Sequence, residues 1–174
     1  MIQAYIGNGK GKTTCSIGLL VRAFGSGKKV AIIFFDKGSE SYKHNELVSL
    51  DKLGIEYHVT GLERMDKNGK FRFGVIDGDK KEALRGYNLA KEKIESSKYD
   101  LVVLDEALSS VTYGLLDKEL IIKLIKETPK DIELVLTGRC EDTDILDKCD
   151  LVTSMTKVKH YFDKGVAARP GIEY

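Results

Sequence analysis

The sequence predicts an α/β fold, a mostly parallel sheet flanked by helices, organised around a phosphate-binding loop. Three observations carry this expectation. The stretch Gly7-Asn8-Gly9-Lys10-Gly11-Lys12-Thr13-Thr14 follows a short apolar run and leads straight into helical periodicity. Residues 30–35 and 101–104 are continuous apolar runs of strand length, the pattern of strands buried on both faces of a sheet, and 132–136 reads as another core strand, apolar but for Glu133. Helical patterns separate these runs, so the connections are right-handed crossovers and the strands run parallel.

The first strand is short, with Ile2, Ala4, Tyr5 and Ile6 apolar. The glycines at 7, 9 and 11 let successive backbone N–H groups converge on phosphate oxygens. A helix starting near Lys12 adds the positive end of its dipole. Lys12 is placed to reach the outer phosphates and the Thr13 hydroxyl to ligate Mg²⁺. In the usual G-x-x-x-x-G-K-[ST] pattern the first glycine would stand at Ile6; here it arrives one residue later. The expected nucleotide contacts are therefore Gly7, Asn8, Gly9, Lys10, Gly11, Lys12, Thr13 and Thr14.

Ile17, Leu20, Val21 and Phe24 continue the first helix, and Gly25-Ser26-Gly27 stops it. The strand at 30–35 ends in Asp36-Lys37-Gly38, which puts Lys37 at a ligand-facing strand end and adds it to the nucleotide set. A helix is expected at about 41–53 and a weaker strand at 55–59. Periodicity fails from 60 to 77, a long connection of the kind that is usually functional. Closure of this segment over a ligand is the expectation. Helix returns at about 79–97, with Ala83, Leu84, Tyr87, Ala90 and Ile94 on one face.

The strand 101–104 delivers Asp105 and Glu106. Asp105 suits the acid that holds Mg²⁺ opposite Thr13, and Glu106 suits a second ligand or a water-orienting group. The alternative for this pair is a helix N-cap with a first-turn acid. A helix at 116–126, a strand at 132–136, a short helix at 142–149 and a strand at 151–155 complete the order. Arg139, at the end of the fifth strand, is a candidate to counter phosphate charge, or else an ordinary surface ion pair. Lys12, Thr13 and Glu106 are the expected catalytic residues; Thr13, Asp105 and Glu106 are the expected metal ligands.

At 174 residues the chain amounts to a single domain, 1–174. A formal charge of +1 offers no basic stripe for nucleic acid. No apolar run approaches the ~20 residues of a membrane span. Met1 enters the first strand directly, leaving no room for a signal peptide. Cys15, Cys140 and Cys149 are scattered, which fits a reducing cytoplasm and neither a disulfide framework nor a zinc site.

A phosphate loop alone does not choose among hydrolases, kinases, ligases and transferases. The whole chain, however, resembles the phosphate-loop ATP:corrinoid adenosyltransferases. The resemblance runs through Gly7 to Thr14, Phe35-Asp36-Lys37-Gly38, Val102-Val103-Leu104-Asp105-Glu106 and Leu136-Thr137-Gly138-Arg139. It is most specific in the tail from Val158 to Tyr174, which generic ATPases have no reason to share. The resemblance implies a RecA-like fold and transfer of the 5′-deoxyadenosyl group of ATP to the cobalt of a reduced corrinoid. It also implies Mg²⁺, a flavoprotein-type electron donor and a homodimer. Two departures concern the corrinoid side. Relatives often carry a Gly-Phe-Thr-Trp-like segment where this chain reads Gly61-Leu62-Glu63-Arg64, and Ala107-Leu108 follows the acidic pair where relatives often have a polar residue. The corrinoid contacts expected here are Gly61, Leu62, Phe71 and Phe73, with His160 and Arg169 from the tail. The competing readings are a small RecA-like ATPase or nucleoside kinase, and a non-catalytic nucleotide-gated corrinoid carrier.

Overall fold

The apolar runs assemble into one six-stranded sheet in the order β3-β2-β4-β5-β1-β6, with every pairing parallel. The structure is a computed structural model and describes residues 1–38, 44–64 and 72–174. The strands are β1 (Ile2–Ile6), β2 (Val30–Phe34), β3 (Glu56–Val59), β4 (Leu101–Asp105), β5 (Glu133–Thr137) and β6 (Leu151–Ser154). The helices are α1 (Lys12–Gly25), α2 (Asn45–Leu53), α3 (Asp77–Glu95), α4 (Ala107–Thr112), α5 (Lys118–Glu127) and α6 (Thr143–Leu146), and a 3-10 turn covers Tyr161–Lys164. This is the architecture of a RecA-like phosphate-loop protein.

The strand period of two explains why the central runs are apolar without interruption. Ile33, Val102 and Leu104 face a core shared with α3, α4 and α5, while Ile32, Phe34 and Val103 face a second core under α1 and α2. Both faces of β2 and β4 are thus removed from water, and an alternating polar residue in either would be stranded. β6 differs: all four of its residues are exposed, because it forms the sheet edge.

Helix starts follow local chemistry. Asp117 caps α5 through the Glu119 backbone N–H at 3.0 Å. Asp79, at the third position of α3, accepts the Ile76 backbone N–H at 3.0 Å, which moves the start of that helix ahead of the expected residue 79. The carboxylate is buried and also takes a two-pronged bond from Arg72 at 2.7 and 2.9 Å. One side chain therefore both starts α3 and ties down the end of the 60–77 connection. The described parts of that connection, 61–64 and 72–76, hold no helix or strand.

α4 was not expected from the sequence. Its six residues carry no amphipathic repeat, because the four consecutive residues Ala107, Leu108, Ser109 and Ser110 are all buried. The tail fold is likewise absent from any periodic pattern.

β5 lies between β1 and β4, so the phosphate-loop strand and the strand ending in Asp105 are not neighbours. The registers align Tyr5 with Thr137 and Phe34 with Asp105. The C-terminal ends of β1, β5, β4 and β2 consequently lie level along one edge, where open α/β sheets bind ligands.

Candidate active site

The phosphate loop turns sharply out of β1, and its glycines are needed for contact as well as for turning. Gly7 has φ of 103°, and a side chain there would put its Cβ 2.5 Å from the Met155 carbonyl oxygen. Gly9 donates its N–H to that same carbonyl at 2.7 Å. The loop is thus packed against the segment that follows β6, and only glycine fits the contact.

From α1, Thr13 aims its hydroxyl across the sheet edge at Asp105, Oγ1 to Oδ2 3.1 Å. Asp105 is fully buried. Its other oxygen, Oδ1, accepts the Thr137 hydroxyl at 2.7 Å, and the Thr137 oxygen in turn accepts the Glu106 N–H at 2.9 Å. The start of α1 and the end of β5 therefore fix the carboxylate at the end of β4. Lys37 completes the cluster, its Nζ 2.6 Å from Asp105 Oδ2, 3.5 Å from Thr13 Oγ1 and 3.7 Å from Glu46. Burial works against the charge of Lys37, but the carboxylates around it, Asp105 first and then Glu46 and Glu106, together outweigh burial and leave its pKa raised.

Lys12 folds back onto the loop, with Nζ donating to the Gly9 carbonyl at 3.0 Å. Burial lowers its pKa, and the positive charge of Arg139 acts in the same direction. Asp36 and Glu106 adopt left-handed backbone conformations, φ 52° and 60°, at the ends of adjacent strands β2 and β4. Such strain in side-chain-bearing residues costs of order 1–3 kcal/mol and collects at functional sites.

These residues open onto a cleft of about 540 Å³ whose walls include Lys12, Thr13, Lys37, Glu46, Glu106 and Glu173. A smaller cleft of about 250 Å³, lined in part by Phe35, Asp36, Ser110 and Tyr113, shares Lys37 and Glu106 with it. The donor set Thr13 hydroxyl plus Asp105 carboxylate suits Mg²⁺, which takes one or two protein oxygens and fills its shell with phosphate and water. Among the described residues no group of three His, Cys, Asp or Glu side chains forms a metal cluster.

The comparisons with known proteins bear on this arrangement. The sequence profile of the family described as "ATP:corrinoid adenosyltransferase BtuR/CobO/CobP" matches residues 1–174. The chain belongs to the ATP:corrinoid adenosyltransferase family. The Escherichia coli (strain K12) protein named corrinoid adenosyltransferase is 35% identical over 176 residues, covering 100% of this chain and 85% of that protein. A Salmonella typhimurium relative named corrinoid adenosyltransferase CobA is 35% identical with the same coverage. One from Pseudomonas aeruginosa is 29% identical over 178 residues, covering 100% of this chain and 83% of its own. Membership makes this adenosyltransferase an alkyl-group transferase that uses ATP and a corrinoid.

Within the adenosyltransferase the expected residues fall into two groups. Gly11, Lys12, Thr13, Thr14, Lys37 and Glu106 all line the large cleft, with Asp105 buried behind Thr13 and Lys37. Lys10 stands at the cleft's edge with its ammonium turned to the tail, bonded to Tyr161, Ile172 and Glu173. Asn8 likewise accepts the Lys157 N–H at 3.0 Å. Arg139 is exposed and anchored through its backbone, N–H to Ser109 and carbonyl to Thr112.

Among the described residues, the expected corrinoid contacts do not converge. Gly61, φ 117°, lies over Asp36, where an added Cβ would stand 2.7 Å from its Cα, and its N–H bonds Glu82. Leu62 packs toward the start of α3, close to Gly78. Phe73 is 86% exposed, and Phe71 lies outside the described residues. His160 instead accepts the Phe162 N–H, and Arg169 bonds Glu173 and lies over the Tyr161 ring. Both belong to the tail beside the phosphate loop, not to the root of the 60–77 connection.

Sequence reasoning missed Glu46, Thr137, Tyr113 and Glu173. Thr137 ends a strand level with Asp105, which is a usable signal; the others reach the site through folding of a helix face or the tail.

Proposed function

We propose that ATP occupies the large cleft and that the cobalt of a reduced corrinoid attacks its 5′ carbon. The cobalt–carbon bond forms as the C5′–oxygen bond breaks, and the electron pair leaves with inorganic triphosphate. The observation that carries this reading is the cluster of positive charge and N–H groups, Lys12, Lys37 and the phosphate loop, around a cleft that also holds Glu106. The attacking metal is already a strong nucleophile, so no general base is needed. The demand on the protein is to hold and stabilise a leaving polyanion.

In this reading Lys12 leaves the Gly9 carbonyl for the triphosphate. Lys37 adds positive charge beside it, and the loop N–H groups bind its oxygens. Thr13 and Asp105 would hold Mg²⁺, which supplies further positive charge on the triphosphate when bound. Thr137 keeps the carboxylate turned toward Thr13. Glu106 stands where the two clefts meet, between the proposed sites of the two substrates. The smaller cleft and the root of the 60–77 connection receive the corrinoid, with Gly61 and Leu62 positioning that connection.

The finer assignments follow from family resemblance and composition: a single domain over 1–174, a homodimer, a flavoprotein-type electron donor and a cytoplasmic setting for three free thiols. No described helix is long and apolar enough to cross a membrane. The deciding experiment is anaerobic incubation with reduced corrinoid, ATP and Mg²⁺. Light-sensitive adenosylcorrinoid and triphosphate should appear in equal amounts. Stoichiometric ADP without a cobalt–carbon bond would replace this reading with phosphoryl transfer.

A further inference from the structure

The structure assigns the C-terminal tail to the ATP cleft as one of its walls, with Lys10 as the positioning residue that holds it there. The inference rests only on the reading of the large cleft as the ATP site.

An ammonium group has three N–H donors. All those of Lys10 are engaged by the tail: the Tyr161 hydroxyl at 2.9 Å, the Ile172 carbonyl at 2.8 Å and Glu173 Oε1 at 2.7 Å. Two neighbours in the loop hold the stretch that leads into the tail, Gly9 through Met155 and Asn8 through Lys157. On its far side the tail reaches α2, where the Asn45 side-chain amide donates to the Tyr174 carbonyl at 2.8 Å. The tail thus bridges the phosphate loop to α2, and residues 171–174 line the cleft beneath that bridge together with Lys12 and Thr13.

The charge arrangement gives Lys10 its purpose. Glu173 puts a carboxylate in the wall of a cleft meant for a polyanion. Arg169, Lys10 and the Tyr161 hydroxyl surround that carboxylate and hold its pKa far below the usual range. Without Lys10 the negative charge of Glu173 would face the triphosphate with one cation fewer. The division of labour in the loop is then clear: Lys12 serves the phosphates and Lys10 serves the wall. Because ATP touches both loop and tail, it binds the docked tail better than the undocked one, and docking and binding strengthen each other.

The test uses ATP with Mg²⁺ and no reductant or corrinoid, so that no turnover occurs. ATP should slow amide hydrogen exchange over residues 157–174 of the wild-type chain. Lys10→Met should weaken ATP binding about tenfold, the effect of losing one charge-assisted contact, and abolish that slowing. Glu173→Gln should weaken ATP less, and the double variant should bind ATP more tightly than Lys10→Met alone, since the exposed carboxylate is then gone. The loss in turnover assays should fall on KM for ATP and not on kcat. Faster tail exchange on adding ATP would mean that phosphates pull Lys10 away from Glu173, and would overturn the proposal. So would a Lys10→Met chain that binds ATP weakly yet keeps wild-type tail protection. A wild type that protects its tail with ATP but forms no adenosylcorrinoid would remove the proposed reaction and leave this wall standing.

Discussion

Lys37 and Asp105 form an ion pair, Nζ to Oδ2 2.6 Å, between the turn after β2 and the end of the adjacent strand β4, with Asp105 buried and Lys37 lining the cleft. The pair sits against Thr13, so the charge that balances Asp105 lies where the site also holds its phosphate loop hydroxyl. Asp105→Asn should therefore act twice. It leaves the Lys37 ammonium facing a neutral amide in place of the carboxylate, a loss of roughly 1.5–3 kcal/mol for one charge-assisted hydrogen bond. It also removes the proposed Mg²⁺ ligand. Chemical denaturation should report the first effect, and a raised Mg²⁺ requirement for ATP binding the second.

Lys12→Ala and Thr13→Ala should each cost most of the activity. One removes a charge from the triphosphate and the other a metal ligand, each loss comparable to one oxyanion contact at roughly 3–4 kcal/mol, or 10²–10³ in rate. Steady-state kinetics at saturating ATP and Mg²⁺ checks this. Near-normal rates in both variants would take the phosphate loop out of the mechanism.

Acid stability should depend on Asp79. The Arg72 guanidinium bound to it, helped by the Ile76 N–H, holds its pKa at about 2 against an ordinary 3.8. A carboxyl depressed in the folded state contributes stability above its unfolded pKa and loses it as pH falls through the folded value. The contribution, roughly 2–3 kcal/mol, should fade between about pH 4 and pH 2. Arg72→Met should shift acid unfolding of the start of α3 to higher pH. An unchanged acid-unfolding curve would deny the pair that role.

Gly61→Ala should damage the corrinoid side selectively. Its φ of 117° and the 2.7 Å approach of an added Cβ to Asp36 forbid a side chain without moving the root of the 60–77 connection. The strain is roughly 1–3 kcal/mol. KM for corrinoid should rise about tenfold or more while ATP affinity holds, as expected when 1.4 kcal/mol or more falls on one substrate. Equal losses for both substrates would mean that the root supports the whole site.

Much of this molecule is legible in the residues alone because its signals are local. Val30 to Phe34 and Leu101 to Leu104 read as strands since burial on both faces demands an unbroken apolar run. The phosphate loop reads as a loop because glycines, a lysine and a threonine at that spacing suit one kind of ligand. The family resemblance follows from the same contiguous stretches. α4 escaped because a six-residue helix whose first four residues are all buried shows no periodicity. Contacts brought together from distant segments were equally invisible. Nothing near Lys10 tells that its charge belongs to Glu173, 163 residues away, and nothing near Asp105 tells that Lys37 shares it. Local sequence determined which elements form and which loop takes phosphate, since backbone preference and burial act within a few residues. Only the tertiary fold decided which charges face one another, because electrostatic pairing depends on distance in space and a sheet order of β3-β2-β4-β5-β1-β6 places strangers side by side.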